Sequence, residues 1–150
     1  MATTVSPALF STKILDYFYE RRAESAIGSG DRFLLSKAVF GTSSLVTENS
    51  AGTYDIATIP ADFALSDLRT QFCTVGLTLS YADGIIVVRV DLDTTQLTDG
   101  MTYPFNTLVI LDNAGAACMV MCVQEDSLYV GKSYVAVLNI DSTEARPARP

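Results

Sequence analysis

The chain has 150 residues, a formal net charge of −7 and no histidine. That acidic balance excludes binding to a nucleic-acid backbone or an anionic membrane surface through clustered Lys and Arg. The missing histidine removes Ser-His and Cys-His catalysis, the commonest general base and most zinc sites.

In chain order, Ser6-Pro7 reads as a helix start, with Ser at the N-cap and Pro at the first helical position. Phe10, Ile14, Tyr17, Phe18 and Arg21 follow helical spacing, and Gly28-Ser29-Gly30 reads as a stop. The pattern predicts a helix over residues 7–26, with Arg21-Arg22 on its face. A strand follows within Asp31 to Gly41. Residues 42–68 show little periodicity and several turn formers. They read as a long loop with a short helical turn near Ala61 to Leu68, and a loop of that length is functional or packed against something.

From Thr70 the pattern becomes one of strands. Asp83-Gly84 joins two of them as a hairpin signal. In the second, Ile86, Val88, Val90 and Leu92 share one face; Ile85, Val87, Arg89 and Asp91 share the other. A polar linker with a turn at Asp99-Gly100 leads to a second pair, "NTLVILD" and "AACMVMCVQ", around Asn113-Ala114-Gly115. A last strand lies in "GKSYVAVLNID", before the polar, Pro-rich "STEARPARP". The expected fold is α+β: an N-terminal helix packed on a mainly antiparallel sheet or sandwich, with a long loop between the first strand and the hairpins. One such domain spans residues 1–140, and residues 141–150 form a flexible tail.

Hydrophobic residues make up 49% of the chain, and mean hydropathy is +0.28. Either the core is unusually complete or partners cover some apolar surface. The start "MATTVSPALF" has no signal-peptide pattern, and no stretch is long enough to span a bilayer. Three cysteines then suit a reducing cytoplasm and buried thiols. Cys118 and Cys122, four apart in a strand, are expected on one face, too far apart for an easy bond or a shared ion. Around them both faces, Ala117, Met119, Met121, Val123 and Ala116, Cys118, Val120, Cys122, are apolar. That strand must be covered on both sides, by the helix on one and by a neighbouring subunit on the other.

"DLDTTQLTDG", Asp91 to Gly100, fails as a calcium loop, because Gln96 stands at the sixth position and Thr102 at the twelfth. Asp16, Glu20 and Glu24 read as a solvated helix face. "GSGDRF" lacks the lysine and the preceding strand of a phosphate loop. The residues therefore name no catalytic, cofactor-binding or metal site, no cofactor and no enzyme. A structural or assembly role fits, with capsid decoration or a small carbohydrate-binding module as alternatives; the latter lacks any Trp platform.

Three segments resemble the N-terminal, baseplate-attachment (tail-collar) domain of phage tail fibre proteins. "ILDYFYERRAESAIGSGDRFLLSKAVFGTSS", Ile14 to Ser44, matches its opening helix and strand, with Phe40-Gly41-Thr42 at the strand end. "FALSDLRTQF", Phe63 to Phe72, and "FNTLVILDNAGAACMVMC", Phe105 to Cys122, match later elements. The family's Glu-x-Gly before the hairpin is Thr107-Leu108-Val109 here. The resemblance spans Ile14 to Ile140. It implies a virion protein of the tail, assembled in the host cytoplasm, that attaches or adapts a fibre to the baseplate. Its partners would be baseplate and fibre subunits, in an oligomer such as a homotrimer, held through the N-terminal arm, the 42–62 loop and the C-terminal tail. No fibre shaft or receptor-binding tip is recognisable, so host recognition is not implied.

Overall fold

The structure is a computed structural model and describes residues 10–141. Among these, ten strands accompany one α-helix and two short 3-10 turns. The α+β expectation is thus overturned: the fold is mostly β, built of antiparallel sheets. The helix, α1, is Asp16–Ala26.

Half of the expected helix is a strand. β1 (Phe10–Ile14) pairs antiparallel with β9 (Ala117–Leu128), from Phe10↔Val123 to Ile14↔Met119. Phe10, the first residue of the supposed apolar stripe, is 62% exposed. Among residues 11–14, Ser11, Thr12 and Ile14 are weaker helix formers than Lys13; Thr12 and Ile14 suit a pleated surface, and partner β9 decides the outcome. The stop is as expected. Gly28 takes φ +77°, and Ser29 N–H donates to the Glu24 carbonyl at 2.8 Å. The proposed start at Ser6-Pro7 lies outside the described residues.

Five strands form the main sheet, in the order β1-β9-β8-β2-β5, with β2 at Leu35–Thr42, β5 at Arg69–Gly76 and β8 at Tyr103–Asp112. A second sheet has the order β10-β7-β6, with β6 at Thr78–Ala82, β7 at Ile85–Asp91 and β10 at Val135–Asp141. The run before Asp83-Gly84 is therefore two strands, not one: it breaks at Gly76-Leu77, and the chain crosses from one sheet to the other. The Asp83-Gly84 turn itself is as expected, with φ +53° and +81°. This is the primed turn whose twist matches a two-residue hairpin. The faces read along β7 are also as expected, with Val88 and Val90 buried and Arg89 and Asp91 exposed.

The core lies on both faces of the main sheet. On one, Phe18 of α1 joins Phe40, Phe105, Leu108 and Met121 against Val88, Leu138 and Ile140 of the second sheet. Phe40 and Phe105 lie 5.2 Å apart between ring centroids, and both meet Tyr134. On the other face, Val39, Val109, Val120 and Cys122 pack beneath Leu15, Val46, Ile59, Phe63 and Leu68. The last four come from the 42–68 segment, which also holds a small hairpin, β3 (Val46–Glu48) with β4 (Tyr54–Ile56), and a 3-10 turn at Leu65–Asp67. The second cover of β9, expected from a neighbouring subunit, is this segment of the same chain.

Phe40-Gly41-Thr42 closes β2 at a crowded point. A Cβ on Gly41 would stand 2.6 Å from the Arg69 carbonyl oxygen and 3.0 Å from Leu68 Cγ. The oxygen belongs to backbone paired with β2 at Thr42↔Arg69, so it has little room to yield. Gly41→Ala is expected to cost about 2 kcal/mol through overpacking. The check is a lower urea midpoint at unchanged m-value.

Candidate functional site

The titratable groups are positioned for structure. Glu24 accepts from Arg21 Nη1 at 2.8 Å on an exposed face, as the solvated reading of the helix carboxylates expected. Asp93 accepts from Thr95 N–H at 3.0 Å and from its hydroxyl at 2.6 Å. Those bonds hold its carboxyl below the usual range. The Asp91 to Gly100 stretch is thus a turn organised by its own side chains. Among the described residues, no group of three or more His, Cys, Asp or Glu is placed to hold a metal ion.

The most buried polar cluster joins Ser43, Asn106 and Thr107. Ser43 Oγ lies 2.7 Å from Thr107 Oγ1, and Asn106 Oδ1 accepts from Ser43 N–H at 2.9 Å and Thr107 Oγ1 at 2.7 Å. Every member has a partner and no base adjoins the hydroxyls. The cluster fastens the chain after β2 to β8; it does not make a nucleophile. Thr107 stands where the resembling family has its Glu, and here it serves this junction.

The thiols are all free and all buried. Cys118 and Cys122 are not on one face, contrary to their spacing. The β8–β9 ladder shifts between Ile110↔Met119 and Leu111↔Ala117, leaving Cys118 as the extra residue of a β-bulge. Cys118 then joins the core under the second sheet, while Cys122 joins the opposite one. A bulge resets the two-residue period of a strand, which spacing alone does not reveal. Burial pushes the Cys118 thiol up to about 12 and raises Cys122 and Cys73 as well. The native chain is expected to react with a thiol reagent more than about a hundredfold slower than free cysteine, since the thiolate is the nucleophile. All three thiols should react in denaturant; rapid native labelling at neutral pH would contradict this burial.

What the fold does expose is apolar strand surface. On β6, Leu79 is 45% and Tyr81 69% exposed; on β10, Val135 and Val137 are likewise open. All five β6 residues are exposed. By the ladder Leu79↔Val88 and Tyr81↔Ile86, Leu79 and Tyr81 lie on the face of the second sheet that turns toward the core. Their exposure means that β6 overhangs the main sheet. A second apolar patch, Met101, Tyr129 and Val130, lines a shallow hollow of about 360 Å³.

The edges of the sheets differ. At β5, Gln96 acts as a substitute strand: its Oε1 accepts from Thr74 N–H at 3.0 Å and its Nε2 donates to the Thr74 carbonyl at 2.6 Å. Asp93 Oδ2 accepts from the same Nε2 at 3.3 Å and holds it in place. β1 carries Lys13 on its edge. β6, Thr-Leu-Ser-Tyr-Ala, carries no charge, proline or side-chain guard. A charge-free edge without proline is what proteins avoid unless it has a partner. Sequence reading missed this feature because it merged β6 with β5.

Comparison with known proteins gives the setting. The family model described as Bacteriophage P1 tail fiber protein R matches residues 1–145. Tail fiber protein R of Escherichia phage P1 is 57% identical over 141 residues, which cover 94% of this chain and 98% of that relative. No solved structure matches. The tail-fibre resemblance is thereby supported, though the matching family is not specifically an N-terminal collar domain. With a match along nearly the whole of both chains, this protein belongs to the phage P1 tail fiber protein R family, a family of structural proteins of the virion tail.

Proposed function

We propose that the chain is a fibre-attachment or adaptor subunit: it docks on the tail baseplate and holds a tail fibre or a further adaptor there. Residues 1–140 serve as one attachment unit, and the chain works without catalysis, through contacts with baseplate and fibre subunits. The observation that carries this reading is the uncovered apolar strand surface of β6 and β10, on a molecule whose buried polar groups are partnered within the fold. Family membership supports the tail as the place where that surface is used. The β-rich architecture supplies a stiff mount, since both faces of its main sheet are packed.

The test is a phage that lacks this chain. Its particles should carry a complete baseplate without attached fibres, and supplying the chain in trans should restore them. Normal fibre attachment in its absence would sink the reading. So would gold-labelled antibody against the chain decorating heads rather than tails, which would favour capsid decoration instead.

A further inference from the structure

We propose that β6 is the seam of a homodimer, in which a second copy adds its own β6 antiparallel to the first about a two-fold axis through Ser80. This goes beyond the attachment reading: the seam covers β6 and leaves Val135 and Val137 of β10 to the baseplate and fibre subunits.

The backbone sets the register. Ala82 and Ile85 flank a two-residue primed turn, so they form a hydrogen-bonded pair of the β6–β7 ladder. By alternation Ser80 and Thr78 also bond toward β7. Leu79 and Tyr81 therefore turn their N–H and C=O groups outward, to the open side of the sheet. A pairing centred on Ser80 sets Leu79 opposite the second copy's Tyr81, and the reverse, and joins these outward groups. It also sets Thr78 opposite the second copy's Ala82. Each aliphatic–aromatic pair is of the kind that stabilises cross-strand contacts, and no charge meets a like charge.

The identity of the partner follows from charge and from the edges. A chain of net charge −7 repels its own copies except through a neutral or complementary surface. The β6 seam is neutral, and the charges nearest to it are Arg89, which pairs with Asp91 of its own strand at 3.2 Å, and Asp83. Arg89 is the ladder neighbour of Thr78, and Asp83 follows Ala82. The two-fold axis brings the second copy's Asp83 beside Arg89, two strand spacings or about 10 Å away in backbone and within side-chain reach. This happens twice. The alternative edge at β5 is occupied at Thr74 by Gln96, and the edge at β1 carries Lys13. At β10 the core-facing Ala136, Leu138 and Ile140 are already buried. Pairing there would gain backbone bonds but would cover no core-facing apolar side chain. At β6 it also covers Leu79 and Tyr81. The seam is short, below the roughly 1,200 Å² of a standard stable interface, so the isolated chain should dimerise weakly and concentration-dependently.

Variants of the full chain that each add one exposed cysteine to the three buried native thiols test the register, with copper phenanthroline and dissolved oxygen as oxidant. Ser80→Cys should give a disulfide-linked dimer at least about tenfold faster than Ser29→Cys, an exposed control, because facing residues on paired strands bring their Cβ atoms close enough to bridge. Thr78→Cys should cross-link with Ala82→Cys in a mixture, and neither should cross-link with itself at that rate. Adding Tyr81→Lys to Ser80→Cys should slow cross-linking about tenfold, since the lost contact counts twice. Unchanged thermal unfolding by circular dichroism would show that these exposed positions leave the fold intact. Cross-linking of Ser80→Cys no faster than the control, self-linking of Thr78→Cys, or no effect of Tyr81→Lys would overturn the proposal.

Discussion

Phe40→Ala is expected to lower stability by about 3–5 kcal/mol, the range for truncating a buried aromatic side chain. Phe40 is fully buried at the centre of the main sheet. Its ring meets Phe105, Tyr134 and Phe72, with centroids 5.2, 6.0 and 6.1 Å away. Those neighbours come from β8, β5 and the approach to β10, so one side chain ties the main sheet to the second. The cavity cannot close easily, because β2 is hydrogen-bonded to a strand on each side. A domain of this size has about 5–15 kcal/mol in all, so the variant should lose a large part of it. Its melting temperature should fall by about 10 °C. Phe10→Ala, at an exposed ring on β1, is the control and should be nearly neutral. Equal losses at the two positions would mean that the core does not lie where the structure puts it.

The strand pattern was legible where one residue type dominated a face. The β6–β7 hairpin and the last strand follow from alternation, and the β8–β9 hairpin from two apolar runs around Ala114-Gly115, because local chemistry and tertiary pairing agree there. What misled was the N-terminal stripe. Phe10 and Ile14 satisfy a helical period and a strand period alike, and only β9, more than a hundred residues away in sequence, settles between them. The fold class failed with that segment, since a longer helix would have made the architecture look mixed. The long segment 42–68 reads as functional or packed against something, but not as the second cover of β9. Its contacts, Ile59, Phe63 and Leu68, are single apolar residues among turns, without any period to read. The apolar surplus has the same explanation: most of it fills two cores of one chain. What is left over is concentrated on a few strands, and on β6 it coincides with an unguarded edge. That edge is hidden in the sequence, because Gly76-Leu77 breaks one continuous run into strands of different sheets.

Asp112→Ala is the second large effect, at about 3 kcal/mol. Asp112 ends β8 at the Asn113-Ala114-Gly115 turn and is almost fully buried. Its Oδ1 accepts from the N–H groups of Ala114 and Ala116, at 3.0 and 2.9 Å, and its Oδ2 accepts from the Tyr17 hydroxyl at 2.7 Å. One carboxylate thus shapes the turn and holds α1 against the sheet. Alanine leaves three donors without their acceptor, at a cost of about 1–3 kcal/mol for each that water does not reach. Asp112→Asn keeps an oxygen for the turn and an amide facing Tyr17, and should cost only about 1 kcal/mol. Tyr17 reports the same contact. Burial, then the hydrogen bond to Asp112 and its charge, raise the Tyr17 phenol to about 12. The folded pKa lies above the ordinary value of 10, so the neutral phenol is the form the fold favours. Its contribution is complete below pH 10 and is lost as the pH rises through 12. In Asp112→Ala the tyrosinate absorbance of Tyr17, identified by its loss in Tyr17→Phe, should appear at lower pH, although burial still holds it above 10. If the titration is unmoved while stability drops, Asp112 acts through the turn alone and the helix is held by Phe18.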